Sequence, residues 1–221
     1  MSCLLFQVPD FDDAFGVGFS VDVDGDNVTC ESVNVGVLTM TTGQLIAVDP
    51  YILVGDTPFS KTVPVGEFPV RLAVATREGD QRVAFARVDF KSDDVVKWEM
   101  ALIPGQAADA LEEGEIYGFA TDTGTACFMD KAASAAIKTE IKDGSDFFEE
   151  IMEELDAAYQ SSWSWANMPL ETANVVVFLS GYGDGYYATY YGYNQAGEVV
   201  ALLTDFDVLP WSGEAIESVD D

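Results

Sequence analysis

Three aspartates beside glycine turns or at element boundaries, Asp122, Asp130 and Asp184, are the residues of this chain whose type and setting could do chemistry. Asp49 and Asp205 occupy similar places. Carboxylate oxygens are hard ligands, so convergence at one end of a sheet would let them hold Ca²⁺ or Mg²⁺, as in a divalent-metal-binding protein or a carboxylate-based hydrolase. The competing reading makes each one a turn or cap residue, satisfied by nearby backbone N–H groups. A second set suits binding rather than catalysis. Glu149, Glu150, Glu153 and Glu154 line one face of an expected helix, and Tyr187 and Trp163 are candidate aromatic anchors for a partner.

Shorter motifs add little chemistry. Asp122-Thr123-Gly124-Thr125 resembles an aspartic-protease loop, but that mechanism needs two such loops and the chain has one. Asp22-Val23-Asp24-Gly25-Asp26 lacks the later glycine and glutamate of a calcium-binding EF-hand and reads as a hairpin turn. Histidine is absent, which removes Ser-His-Asp and Cys-His catalysis and every His-containing zinc site. Cys3, Cys30 and Cys127 lie far apart with no Cys-x-x-Cys pair, and Cys127 in its apolar setting reads as a buried thiol.

Charge narrows the partners. With 39 acidic and 10 basic residues the net charge is −29, a field that repels nucleic acid and anionic membrane. It attracts basic protein surfaces, so the leading expectation is a non-catalytic protein that binds a basic partner, in the manner of an inhibitor or immunity protein. Adaptation to high salt is a blander source of the same acidity. The N-terminal stretch has no basic segment of a signal peptide, and no apolar run approaches a membrane span. A cytoplasmic setting is expected.

The elements that must position these residues are mainly strands. Residues 15–49 alternate apolar and polar positions around Asp24-Gly25, and residues 51–66 read as a proline- and glycine-bearing loop. Residues 68–76 and 82–90 form a hairpin closed by residues 77–81, with further strands at 95–103 and 116–121. Asp130 is expected to cap a helix ending near Gly144, and Ser145 to start a second with Phe148, Ile151, Met152, Leu155 and Tyr159 at helical spacing. Residues 175–179, 186–193 and 199–206 read as a three-strand meander, its middle strand carrying tyrosines 186, 187, 190, 191 and 193. The expected fold is a single α+β domain, mostly antiparallel β-sheet of meander or sandwich type, with a helical insertion around 130–160. An acidic tail is expected from about residue 212.

Four segments together resemble the bacterial family of unknown function numbered 4241. They are Thr42-Gly43-Gln44-Leu45 through Asp49-Pro50; Phe59 through Val63-Pro64-Val65-Gly66-Glu67-Phe68-Pro69-Val70, with Trp98-Glu99-Met100-Ala101; Asp122 through Asp130; and Ser180-Gly181-Tyr182-Gly183-Asp184-Gly185 through Asp205-Phe206. The resemblance spans roughly residues 40–210, with Asn194 where that family has aspartate. It implies a shared fold and a bacterial cytoplasmic setting, and it supplies no activity.

Overall fold

The structure is a computed structural model that describes residues 11–210 apart from 54, 55, 113 and 143. The acidic tail from about residue 212 and Cys3 lie outside these residues. Two short two-residue turns set the first strands. β1 (Ser20–Val23) and β2 (Asp26–Met40) join through Asp24 and Gly25, both with positive φ, and Asp22 accepts a hydrogen bond from Gly25 N. β4 (Gly66–Arg77) and β5 (Asp80–Asp89) join in the same way through Glu78 and Gly79. Left-handed backbone at both central residues matches the twist of paired strands, so this hairpin closes with two residues where five were expected.

β3 (Leu45–Val48), β6 (Lys97–Met100), β7 (Phe119–Thr121) and β8 (Thr125–Asp130) follow, then α1 (Lys131–Lys142) and α2 (Phe147–Ala157). The chain ends with β9 (Trp165–Pro169), β10 (Asn174–Leu179), β11 (Gly185–Tyr187), β12 (Thr189–Tyr193) and β13 (Val199–Asp205). All pairings are antiparallel. A seven-stranded sheet runs β1-β2-β4-β5-β13-β12-β6, a four-stranded sheet runs β3-β8-β10-β9, and β11 pairs with β7. The fold is α+β with two helices at the expected place.

Alternating residues show how the layers stack. Val70, Leu72 and Val74 of β4 and Leu202 of β13 face the same core as Ala126 and Phe128 of β8 and Val176 and Phe178 of β10. On the other side of the small sheet, Cys127, Met129, Val175 and Val177 pack on Ile137 of α1 and on Phe147, Ile151 and Leu155 of α2. The outer side of the large sheet, through Ala73, Ala75, Ala201 and Leu203, is covered by Phe11 and Phe15. With both faces covered, β8 and β10 consist of near-continuous apolar residues rather than an alternation.

The expected meander is realised only in part. β12 and β13 pair, but β10 belongs to the small sheet, between β8 and β9. The chain changes sheets in the turn from Ser180 to Gly183. There Gly181 has φ 51°, and a Cβ on it would stand 2.8 Å from the Phe206 carbonyl oxygen. The tyrosine stretch breaks at Ala188: Tyr187 pairs with Phe119 while Thr189 pairs with Thr204, so one apparent strand serves two sheets. β8 and β9 were not foreseen as strands.

Asp130 ends β8 and is fully buried. Its carboxylate accepts from Thr41 N, Thr42 N, Thr42 Oγ1 and Ala132 N, the last as the expected cap of α1. Removing it would strand those donors in the interior. Asp130→Ala is expected to cost about 3–5 kcal/mol in urea denaturation, with Asp130→Asn costing less because one acceptor oxygen remains.

Candidate functional site

The expected metal ligands are held apart. Asp122, at the turn before β8, has an exposed side chain, and its backbone N–H donates to Asp49. Asp184 is exposed and accepts from Gly124 N at 2.9 Å, so it closes that same turn. Asp130 lies at the far end of β8, roughly 20 Å away at about 3.3 Å per strand residue. Oxygen ligands of one Ca²⁺ or Mg²⁺ sit about 2.0–2.6 Å from the ion, so these three cannot share it. Among the described residues no group of three or more His, Cys, Asp or Glu is arranged to hold a metal.

Asp49, a lesser candidate by sequence, takes the role expected of Asp122. It is fully buried, and its carboxylate accepts from Asp122 N, Thr123 N, Thr123 Oγ1 and Tyr51 N. Asp205 is also buried, accepting from Asp207 N at 2.9 Å. Burial pushes its carboxyl up to about 7, with the Asp207 N–H opposing the rise and the Asp207 charge adding to it. Cys127 is buried as expected. Its Sγ contacts the Val48 carbonyl oxygen at 3.2 Å, and burial raises its pKa well above that of a free thiol.

The two aromatic anchors are inside the core. Trp163 is 4% exposed and donates from Nε1 to Gln81 Oε1, and Tyr187 is 6% exposed and donates to the Gly183 carbonyl oxygen. Neither can present its ring to a partner, because each fills the space between the sheets. The four glutamates are where the helical spacing puts them. Glu149, Glu150, Glu153, Glu154 and also Asp156 are exposed on α2, while Phe147, Ile151 and Leu155 pack inward. Among the described residues none of these five carboxylates has a Lys or Arg within 4.0 Å.

Basic residues are engaged elsewhere. Lys61, Arg71, Arg77, Arg82, Arg87, Lys91, Lys97 and Lys138 all form ion pairs, mostly on the large sheet. The larger concavity, about 700 Å³ beside the Phe15 turn, is lined by such pairs: Asp89 bridges Arg71 and Arg87, and Asp12 contacts Arg87. Its guanidinium groups already hold carboxylates.

A second groove, about 390 Å³, runs between α2 and the end of the small sheet. Met152 and Asp156 of α2, four residues apart, and Tyr159 just past the end of the helix form one wall, with Leu155 beneath. Tyr51, Thr123, Thr125 and Leu179 form the other wall, and no Lys or Arg lines it. Thr123 Oγ1 lies 2.7 Å from Thr125 Oγ1 and donates to Asp49, so the floor is a hydrogen-bonded row ending on a buried carboxylate. Tyr51 stacks near Phe148 at 5.5 Å between ring centroids. Among the described residues, its Oη is the buried side-chain polar atom that has no hydrogen-bond partner. Burial first, then the charges of Asp49 and Asp156, pushes the Tyr51 hydroxyl up to about 12. Sequence reasoning missed Tyr51, Thr123 and Thr125 as groove residues. Only the Asp49-Pro50 break at the end of β3 marks the place.

A family model described as "Protein of unknown function (DUF4241)" matches residues 38–204, from the end of β2 almost to the end of β13. The chain belongs to this family. No curated protein and no solved structure matches it.

Two outcomes are expected. Tyr51→Phe removes a buried hydroxyl with no partner and keeps the ring, so unfolding in urea should show stability unchanged or raised by about 1 kcal/mol. Asp205, whose carboxyl is moved from 3.8 to about 7 on folding, favours the folded state at low pH. That contribution is lost as pH rises from about 4 to about 7, because the unfolded chain gives up its proton first. Asp205→Asn should therefore gain on the wild type as pH is raised from about 5 to about 8, by about 2–3 kcal/mol.

Proposed function

We propose that this protein is a non-catalytic binding module that holds a basic polypeptide against the outer face of α2. The observation that carries this reading is the separation of charge. Glu149, Glu150, Glu153, Glu154 and Asp156 face outward without counter-ions among the described residues, while eight of the chain's ten Lys and Arg residues are paired with carboxylates on other elements. Like charges on one helix face repel, and the separation favours any partner that brings cations. Met152 and Tyr159 are 55% and 59% exposed beside this face, and supply apolar area that a charged surface alone lacks. Acting in the cytoplasm as an inhibitor or immunity protein, the module would set its carboxylates in the cationic cleft with which a nuclease or toxin binds phosphate.

The test is binding of a fluorescently labelled arginine- and lysine-rich peptide, followed by anisotropy. Affinity should fall about tenfold or more between about 50 mM and about 300 mM salt. Glu149→Gln, Glu150→Gln, Glu153→Gln and Glu154→Gln together should weaken binding by at least about tenfold. A control with the same loss of charge elsewhere, Glu31→Gln, Glu67→Gln, Glu78→Gln and Asp109→Asn, should change it little. Equal losses in both variants would mean that the whole-molecule field, not the α2 face, attracts the peptide.

A further inference from the structure

We infer that the groove between α2 and the end of the small sheet is a pocket for one arginine side chain of the basic partner, an inference that rests on the reading of α2 as its docking face. Three independent features of the groove converge on a guanidinium. The first is shape: about 390 Å³ between Met152 and Tyr159 on one side and Leu179 and Tyr51 on the other accommodates a single long side chain rather than a helix. Apolar walls suit the three methylenes of an arginine stem, and the Tyr159 ring offers a face on which a planar cation stacks.

The second is charge. Asp156 stands on the rim and Asp49 lies under the floor, with no cation lining the groove. Asp49 is saturated by Asp122 N, Thr123 N, Thr123 Oγ1 and Tyr51 N, so it contributes field rather than a contact. Asp156 has no ion-pair partner among the described residues and is available as a direct acceptor. Such a site repels anions.

The third is the Tyr51 hydroxyl, buried and without a partner in the chain. Buried polar atoms are almost always satisfied, and one that is not calls for an explanation. A guanidinium supplies it once the Tyr51 ring, whose Oη is closed to solvent in the unbound protein, shifts toward the groove: one N–H of the fork then meets Asp156 while another donates to Tyr51 Oη. Lysine's compact, strongly hydrated ammonium makes fewer contacts of this kind at once and loses more hydration on entry.

Three labelled peptides of one sequence, with arginine, lysine or citrulline at every basic position, separate the possibilities. Each is titrated into the wild type, Tyr51→Phe, Asp156→Asn and the four-glutamine α2 variant, with thermal unfolding confirming that each protein is folded. The arginine peptide should lose about tenfold in affinity with Asp156→Asn and about threefold or more with Tyr51→Phe, and the lysine peptide distinctly less with Tyr51→Phe. Citrulline keeps the shape without the charge and should not bind measurably. If Tyr51→Phe and Asp156→Asn bind the arginine peptide like the wild type while the four-glutamine variant loses it, the pocket is wrong and the docking face stands. If the wild type binds no basic peptide at low salt, the docking face falls and the pocket with it. Equal losses for arginine and lysine overturn the assignment to arginine.

Discussion

Two buried carboxylates at opposite ends of one pair of strands hold this structure in register. Asp49 follows β3 and Asp130 closes β8, and because β3 and β8 run antiparallel the two lie at opposite ends of their shared ladder. An ionised carboxylate without partners is very costly in an apolar interior, so each is tolerated only because it gathers backbone N–H groups and threonine hydroxyls. Asp49 thereby ties the turn at Asp122 and Thr123 to the end of β3. Asp130 ties the turn at Thr41 and Thr42 to the first turn of α1. The loops at both ends of the small sheet are thus fixed by side chains rather than by strand pairing.

That arrangement decides which faces remain for function. The small sheet lies between the large sheet and the helices, and Phe11 and Phe15 cover the outside of the large sheet. Most aromatic rings are consumed by these cores. Tyr187, Tyr190, Tyr191 and Tyr193 all point inward, and Tyr187 and Phe206 meet edge to face at 5.0 Å between centroids. The outer side of α2 gathers five carboxylates without an ion-pair partner among the described residues, and Asp49 anchors the β-wall of the groove beside it. One buried carboxylate therefore both fixes the turn and sets the negative potential under the groove floor.

Much of this was legible in local pattern. The Asp24-Gly25 hairpin, β3, β10, β13 and the two helices follow from turn chemistry, β-branched runs and helical spacing, all of which act over a few residues. Cys127 as a buried thiol and Asp130 as a helix cap follow equally from their neighbours. β8 and β9 were not legible. A fully buried six-residue strand has no alternation, and Trp165–Pro169 draws its identity from pairing with β10.

The sequence by itself determined the secondary-structure inventory at the helices and hairpins, the surplus of negative charge and the chemistries that lack of histidine forbids. Only the tertiary structure decided which aspartates are structural, that residues 186–193 serve two sheets, and that Tyr51, Asp156 and Tyr159 share a groove. Turn and helix signals are read within one stretch of chain. Besides the neighbouring Tyr51 N–H, the partners of Asp49 at Asp122 and Thr123 lie more than 70 residues away, and nothing in a local pattern records which distant amide will reach it.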